Sequence, residues 1–404
     1  MNSGKMTSRK PLIIAFFTIF LDLLGFGIMI PIQAFYAQEF GASPTVITLL
    51  GGSYSLMQFL FAHFWGRLSD QVGRRPIILM SVAISAVGHF VFAMAPTLTL
   101  LFVARMIAGF GNANLATAQA IISDTTSKEN RAKGMGVIGA AFGLGFIFGP
   151  AIGGLLGQYS PTLPSFAAGV LALCNLAFAW FMLPETRRPD SSPAPRRTFK
   201  PEAYLQAMRR VNIGQIFGIT LTFTLAFALM EQVVGLLIES VWVHGLTGNA
   251  RVGEATRLTA YYLVMVGITA TLIQGGLIGR LSRRFGEITL ARTGLAIVIT
   301  SFVMIPFVAE SRAYGLMLVN AVIMACGTGI YNPSSLSLLS RSADSDEQGA
   351  ILGLNQSLAA LGRALGPAFS GLFFEIRPTL PFWIGAGIMG SSLLLAFRLR
   401  RPAS

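Results

Sequence analysis

Apolar residues run through this chain in long blocks, and nearly every ionisable residue falls in the short intervals between them. The blocks are roughly 20 residues long, which matches the ~30 Å of hydrocarbon that a helix crosses at about 1.5 Å per residue. Within a bilayer each block must satisfy its own backbone donors and acceptors, which a helix does and a lone strand does not. Alternating segments of about ten residues, the mark of a membrane β-barrel, are absent. The pattern predicts twelve spans, near 11–36, 45–67, 76–95, 98–122, 133–157, 164–183, 210–240, 257–280, 288–309, 313–340, 347–374 and 380–398. The first follows Lys5, Arg9 and Lys10 but is too long for a secretory signal and is read as a span. The expected fold class is an all-α membrane protein.

The longest polar stretch, rich in Pro, Ser and Arg, separates the spans into two sets of six. It predicts bundles over 1–184 and 210–404, joined by a linker over 185–209. The sets repeat. Gly66-Arg67-Leu68-Ser69-Asp70 follows the second span and Gly279-Arg280-Leu281-Ser282-Arg283 follows the eighth; Gly149-Pro150 in the fifth span recurs as Gly366-Pro367 in the eleventh. Internal pseudo-symmetry of this kind marks carriers that bind between repeats near the bilayer midplane.

Charge changes the picture in one respect. The formal net charge is +13 over 404 residues, which by itself suggests a nucleic-acid partner. Its distribution rejects that: 24 of the 30 Lys and Arg fall on one side of the predicted spans and 4 on the other. The asymmetry sets orientation, with both termini cytoplasmic and the chain multi-pass in the inner cell membrane. Cys174 and Cys326 sit alone in apolar runs and the three His lack metal spacing, so neither a disulfide nor a metal site is expected. None of the five lysines stands in a phosphate-binding loop, so no cofactor is expected and a proton gradient is the expected energy source. The partners expected are membrane lipid and a small organic substrate, with the chain a monomer.

Several motifs resemble a known family. GRLSDQVGRRP (66–76) is similar to the loop signature of the major facilitator superfamily. GAAFGLGFIFGPAIGGLLG (139–157) resembles the fifth-helix signature of its drug/proton antiporter branch, and Arg105 in LFVARMIAGFGNAN its fourth-helix arginine motif. LDLLGFGIMIPI (21–32) with LPETRR (183–188) resembles the tetracycline-transporter-like subgroup. The resemblance spans the chain and implies two pseudo-symmetric six-helix bundles and antiport.

Asp22 lies about halfway along the first span. A carboxylate there costs on the order of 2.5–3.5 kcal/mol to insert, so it should face a cavity or a partner. Away from water a carboxylic acid favours its uncharged form, which suits a proton carrier. Met29 follows on the same stripe. Glu231 gives the seventh span its own deep acid, beside Gln232. Arg105, Asn112 and Gln119 are spaced by seven in the fourth span, one polar stripe on an apolar helix. A guanidinium there would pair with an acid once it is deprotonated, and Arg363 in the eleventh span is a second cation of this kind. The proton-coupling set is therefore Asp22, Glu231 and Arg105. Phe227, Asn320 and Tyr331 fall in spans that the resemblance implies line the substrate cavity.

Gly145, Gly149, Gly153 and Gly157, with Pro150, form a small-residue stripe that predicts a close helix contact between the halves. Asp70, Arg67 and Arg74 read plainly as a solvated loop; the resemblance makes them a conformational clamp with Asp124. Because Arg283 stands where Asp70 stands in the first half, that clamp is expected on one side only.

Proton-coupled efflux of hydrophobic or amphipathic drug-like compounds is the leading reading, with a proton-coupled importer and a non-transporting sensor as alternatives. The tetracycline exporters carry an acid in the third span, whereas this chain has none between Gly73 and Asp124. A metal-chelated tetracycline is therefore not the expected substrate.

Overall fold

A computed structural model of the chain describes residues 10–125, 131–186, 210, 212–343 and 348–400. Within these residues the regular structure is entirely helical. Span 1 runs Lys10–Met29 and resumes as Gln33–Glu39; span 2 is Pro44–Val72; span 3 is Arg74–Ala93. Span 4 is broken into Leu98–Gly111 and Leu115–Thr125, and spans 5 and 6 are Arg131–Gly157 and Leu163–Met182. Span 7 is Ile213–Glu231 with Val234–Trp242. Span 8 joins Gly248–Leu272 and Ile278–Phe285 through a π-helical turn, Ile273–Leu277. Spans 9 to 12 are Glu287–Ser311, Tyr314–Ser342, Gln348–Ile376 and Leu380–Phe397. Nine helical stretches are long and apolar enough to cross a membrane alone, ten with the bent first pair. Span 4 and span 5, whose qualifying apolar pieces are shorter, complete the twelve.

Local chemistry sets the ends. Pro44, Pro164 and Pro381 stand in first turns, where a missing N–H is harmless. Thr97 opens span 4 by accepting from the Leu100 N–H. Between spans 2 and 3 the chain turns at Gly73, φ +118°, and between spans 8 and 9 at Gly286, φ +76°. Both values lie where a side chain is strained, so the repeated loop keeps its glycine in each half.

Span 1 packs on spans 5 and 6, and span 3 on spans 4 and 6. In the second set, span 7 packs on spans 11 and 12 and span 9 on spans 10 and 12. The two sets meet along spans 2 and 11 and along spans 5 and 8.

Most of the glycine stripe of span 5 departs from expectation, although its last member, Gly157, meets Thr256 of the second half as well as Ile32 of span 1. Gly145, Gly149 and Gly153 press on span 1 at Leu23, Gly27 and Ile28, within the first half, instead of on the second. Gly27 supplies the matching notch, since a Cβ there would meet the Gly145 carbonyl and Pro150. It is the neighbouring face of span 5 that meets span 8, through Ile147 on Gly267 and Gly154 on Ala260. The reason is geometric: a four-residue stripe says which face is small, not which helix lies on it. Span 11 repeats the arrangement, with Gly362 and Gly366 pressed on Leu225 and Ala228 of span 7.

Among the described residues, the close contacts between the halves run from mid-span toward one end. Gly52 against Pro367 and Gly371 against Thr45 lie toward the face opposite the termini, as do Gly154 and Gly157 against Ala260 and Thr256. Toward the face that carries the termini and most of the basic residues, Gly275, Gly276 and Gly279 of span 8 and Gly353 of span 11 front open space. Ile278–Phe285 buries none of its residues. The halves are closed at one face and splayed at the basic one.

Candidate functional site

Span 1 places Asp22 opposite the break in span 4. That break exists because Asn112, Ala113 and Asn114 leave the helix, and it frees two amide side chains to turn toward span 1. With its nitrogen toward the carboxylate, the Asn112 amide donates to both Asp22 oxygens, at 2.8 and 2.6 Å, and its oxygen accepts from Ser85 and from Tyr54 Oη. Asn114 Nδ2 donates to Ser81 at 2.8 Å and reaches Asp22 Oδ2 at 3.4 Å. Asp22 is thus held by two amides of span 4, themselves bonded to hydroxyls of spans 2 and 3, while remaining partly accessible.

Arg105 is buried about two turns before Asn112 along span 4, toward the opposite face. Its guanidinium carbon lies 4.4 Å from the centroid of the Tyr54 ring, and its Nε has no hydrogen-bond partner. The expected pairing of Arg105 with an acid does not occur among the described residues: Asn112 and Asn114 occupy Asp22, and Tyr54 takes the cation on its π face. Gln58 ties the cluster together by donating to Tyr54 Oη and to the Asn112 carbonyl, both at 3.2 Å.

Across the interface, Glu231 ends the first helix of span 7 and interacts electrostatically with Arg363 of span 11, without an ion-pair contact. Arg363 also lies within electrostatic range of Tyr54. The two acids are not at equivalent depth. Asp22 lies five residues before Gly27, whereas Glu231 lies three residues after Ala228, the residue that takes Gly27's place in the second half. Gln232, beside Glu231, accepts from Gln33 Nε2 of span 1 at 3.3 Å.

The other expected cavity residues divide. Phe227 and Tyr331 both pack on Phe223, with ring centroids 6.1 and 4.3 Å away. Asn320 is turned away: it is fully buried against Ser301 of span 9, bonding its hydroxyl and its carbonyl. Met29 is likewise engaged with Ser165 of span 6. The break in span 4 also interrupts the heptad stripe, and the side chain of Gln119 lies outside the described residues.

At the closed face, Glu239 of span 7 is buried, which its place near the end of a span did not suggest. It faces Arg251 at 2.9 Å and accepts from Gln38 of the other half at 2.8 Å. Beside it, Glu375 of span 11 accepts from the Thr45 N–H of span 2 at 3.0 Å.

Two bundles that alternate in register, with a buried acid network and an unpaired arginine between them, match one family throughout. The model of the Major Facilitator Superfamily fits residues 15–367 and 313–404. The chain belongs to the Major Facilitator Superfamily. Among curated relatives, the class C tetracycline resistance protein of Escherichia coli is 31% identical, with 98% of each chain covered. Multidrug resistance protein 1 of Bacillus subtilis is 28% identical over 95% of each. Solved structures that share the fold include the human organic anion transporter MFSD10, TM-score 0.73 at 21% identity over 96% of this chain and 99% of that one. A bacterial homolog of the lysosomal transporter Spinster, in an inward-facing and occupied conformation, has TM-score 0.73 at 14% identity over 97% and 98%.

The superfamily loop signature is compact in this chain. Arg74 bonds Asp70 one turn earlier, Asp124 Oδ2 at 3.2 Å and Ser69 Oγ at 2.6 Å. Arg67 is exposed and joins none of these. Glu185, which the sequence places at the start of the linker, instead closes the first turn of span 3, accepting from the Arg74 and Arg75 N–H groups at 3.0 and 3.1 Å. The second half has its own version with the signs exchanged. Glu287, in the position of Arg74, pairs with Arg341, in the position of Asp124, at 2.9 Å. The expectation of a pair on one side only fails because it compared Asp70 with Arg283 and overlooked these two later positions.

Proposed function

We propose that this chain is a proton-coupled antiporter that exports hydrophobic or amphipathic organic compounds. The observation that carries the reading is the Asp22 network: a carboxylate partway along the first span, held by the amides of Asn112 and Asn114, near an arginine that pairs with no carboxylate among the described residues. In this reading the basic face and both termini are cytoplasmic, and the splayed arrangement is the state open to the cytoplasm. Protonation of Asp22 removes its charge from the Asn112 and Asn114 amides and lets the span 4 break rearrange. Glu231 then competes between a proton, Arg363 and a cationic group on the substrate. Ligand binding matters to the cycle only through its different affinity for the two states. The curated relatives are named for resistance to tetracycline and to multiple drugs, which fits an organic compound as cargo. Tetracycline is the natural first compound to test, although span 3 lacks the acid that the resemblance leads one to look for.

The test is transport of a panel of amphipathic dyes and tetracycline into proteoliposomes under an imposed pH gradient. Antiport predicts uptake driven by a proton gradient of opposite direction, abolished in Asp22→Asn and reduced at least tenfold in Glu231→Gln. Uptake along the proton gradient instead would establish a symporter.

A further inference from the structure

A crevice between spans 3 and 6 belongs neither to the polar network nor to the contacts that close the opposite face. Its volume is about 520 Å³, within the ~300–1,000 Å³ range of small-molecule sites. Leu79, Met80, Ala83 and Leu176 line it, with Arg75 and Trp180 at its end nearest the basic face. Among the described residues spans 3 and 6 pack chiefly within their own half, and Met80 and Trp180 are 43% and 57% exposed, so the crevice fronts the outside of the bundle.

Its one cation is undercommitted. Arg75 Nη2 donates to the Trp180 carbonyl at 2.6 Å, and the guanidinium carbon lies 5.8 Å from that indole's centroid. Its Nε has no acceptor, and no carboxylate among the described residues pairs with the group. The nearby Glu185 is held by the backbone N–H groups of Arg74 and Arg75. A charge without a counter-ion, at the head of an apolar trough that faces lipid, is complementary to one molecule class: an anion carrying a long hydrocarbon chain.

We propose that this crevice binds one anionic glycerophospholipid, its phosphate on Arg75 and an acyl chain along Leu79, Met80, Ala83 and Leu176. Trp180 lies in the last turn of span 6, and indoles are enriched at the ends of membrane spans. A free phosphate would leave the trough empty, and a zwitterionic lipid would bring its own cation to Arg75.

Native mass spectrometry of the detergent-solubilised full chain tests this, titrating phosphatidylglycerol against phosphatidylcholine. One phosphatidylglycerol should be retained preferentially. Arg75→Gln should weaken its retention about fivefold, as expected for one basic group at a lipid surface, whereas Ala83→Phe should lose both lipids. Glycerol phosphate should not compete. A phosphatidylglycerol with a photoreactive acyl chain gives a readout that needs no variant: its crosslinks should map to spans 3 and 6. Equal retention of the two lipids, unchanged retention in Arg75→Gln, or crosslinks elsewhere would each overturn the proposal.

Discussion

The amide of Asn112 is what makes Asp22 tolerable in the middle of a helix bundle. Replacing it by leucine removes the donor to both carboxylate oxygens and leaves Tyr54 and Ser85 without their acceptor. Leaving buried polar groups unpaired costs about 1–3 kcal/mol each. Asn112→Leu should therefore lower the thermal midpoint of the purified protein, and pairing it with Asp22→Leu should recover part of that loss. An additive double variant would show that the two side chains do not act together. Ionisable residues inside apolar blocks stand out in a sequence, so Asp22, Arg105, Glu231 and Arg363 were all legible. Their partners were not. A polar residue in a helical stripe looks the same whether it faces a cavity or, as with Asn320, its own bundle. The residues that free Asn112 and Asn114 do so by breaking the helix on which the stripe argument relied.

The two arginine–carboxylate pairs differ in how helix ends treat them. Glu287 stands in the first turn of span 9 and Arg341 in the last turn of span 10, each where the helix dipole favours its sign. Arg74 stands at the start of span 3 and Asp124 near the end of span 4, each where the dipole opposes it. The first-half pair is nevertheless the more enclosed, with Arg74 12% and Arg341 63% exposed at the side chain. Exposed pairs contribute at most about 1 kcal/mol. Glu287→Gln should thus shift the thermal midpoint little, and Arg74→Gln, which removes the largely enclosed guanidinium from Asp70, Asp124 and Ser69, should shift it clearly more. Equal shifts would mean that burial does not set the difference.

The paired glycine seams follow similar logic. A Cβ on Gly149 would lie 2.6 Å from the Gly27 Cα, and one on Gly366 would lie 2.6 Å from the Ala228 Cβ and 3.0 Å from the Leu225 carbonyl. Overpacking of this kind costs about 1–3 kcal/mol. Gly149→Val and Gly366→Val should each destabilise their own bundle, seen as a lower melting temperature, with the Gly149 variant worse because backbone cannot step aside.

At the scale of the whole molecule, twelve spans, a two-fold repeat and a loop signature were readable because they depend on block length and spacing alone. Which end of the interface is shut was not, because it depends on contacts between residues 201 and 330 positions apart. Gln38 and Glu239, and Thr45 and Glu375, meet only once both halves are assembled. Their role predicts a crosslinking result. With Cys174 and Cys326 replaced by serine, Gln38→Cys with Glu239→Cys should oxidise readily and stop transport, and reduction should restore it. A thiol placed at Gly353 should stay open to a water-soluble maleimide in the same oxidised protein. Transport that survives the crosslink would remove these contacts from the cycle.

Span 8 crosses this divide through a break in its helix. Its upper part is clamped to span 5, its lower part is bare, and the π turn at Ile273–Leu277 sits where one becomes the other. Such a turn is a loosened joint, with hydrogen bonds one residue too long and two glycines, Gly275 and Gly276, to absorb rotation. The end of span 8 can then swing like a forearm from an elbow, carrying Arg280, Arg283 and Arg284 toward the opposite bundle while the shoulder stays fixed. Removing Gly276 would tighten the joint into ordinary helix and turn those three arginines by about 100°, leaving a protein that folds and binds but cannot complete its stroke.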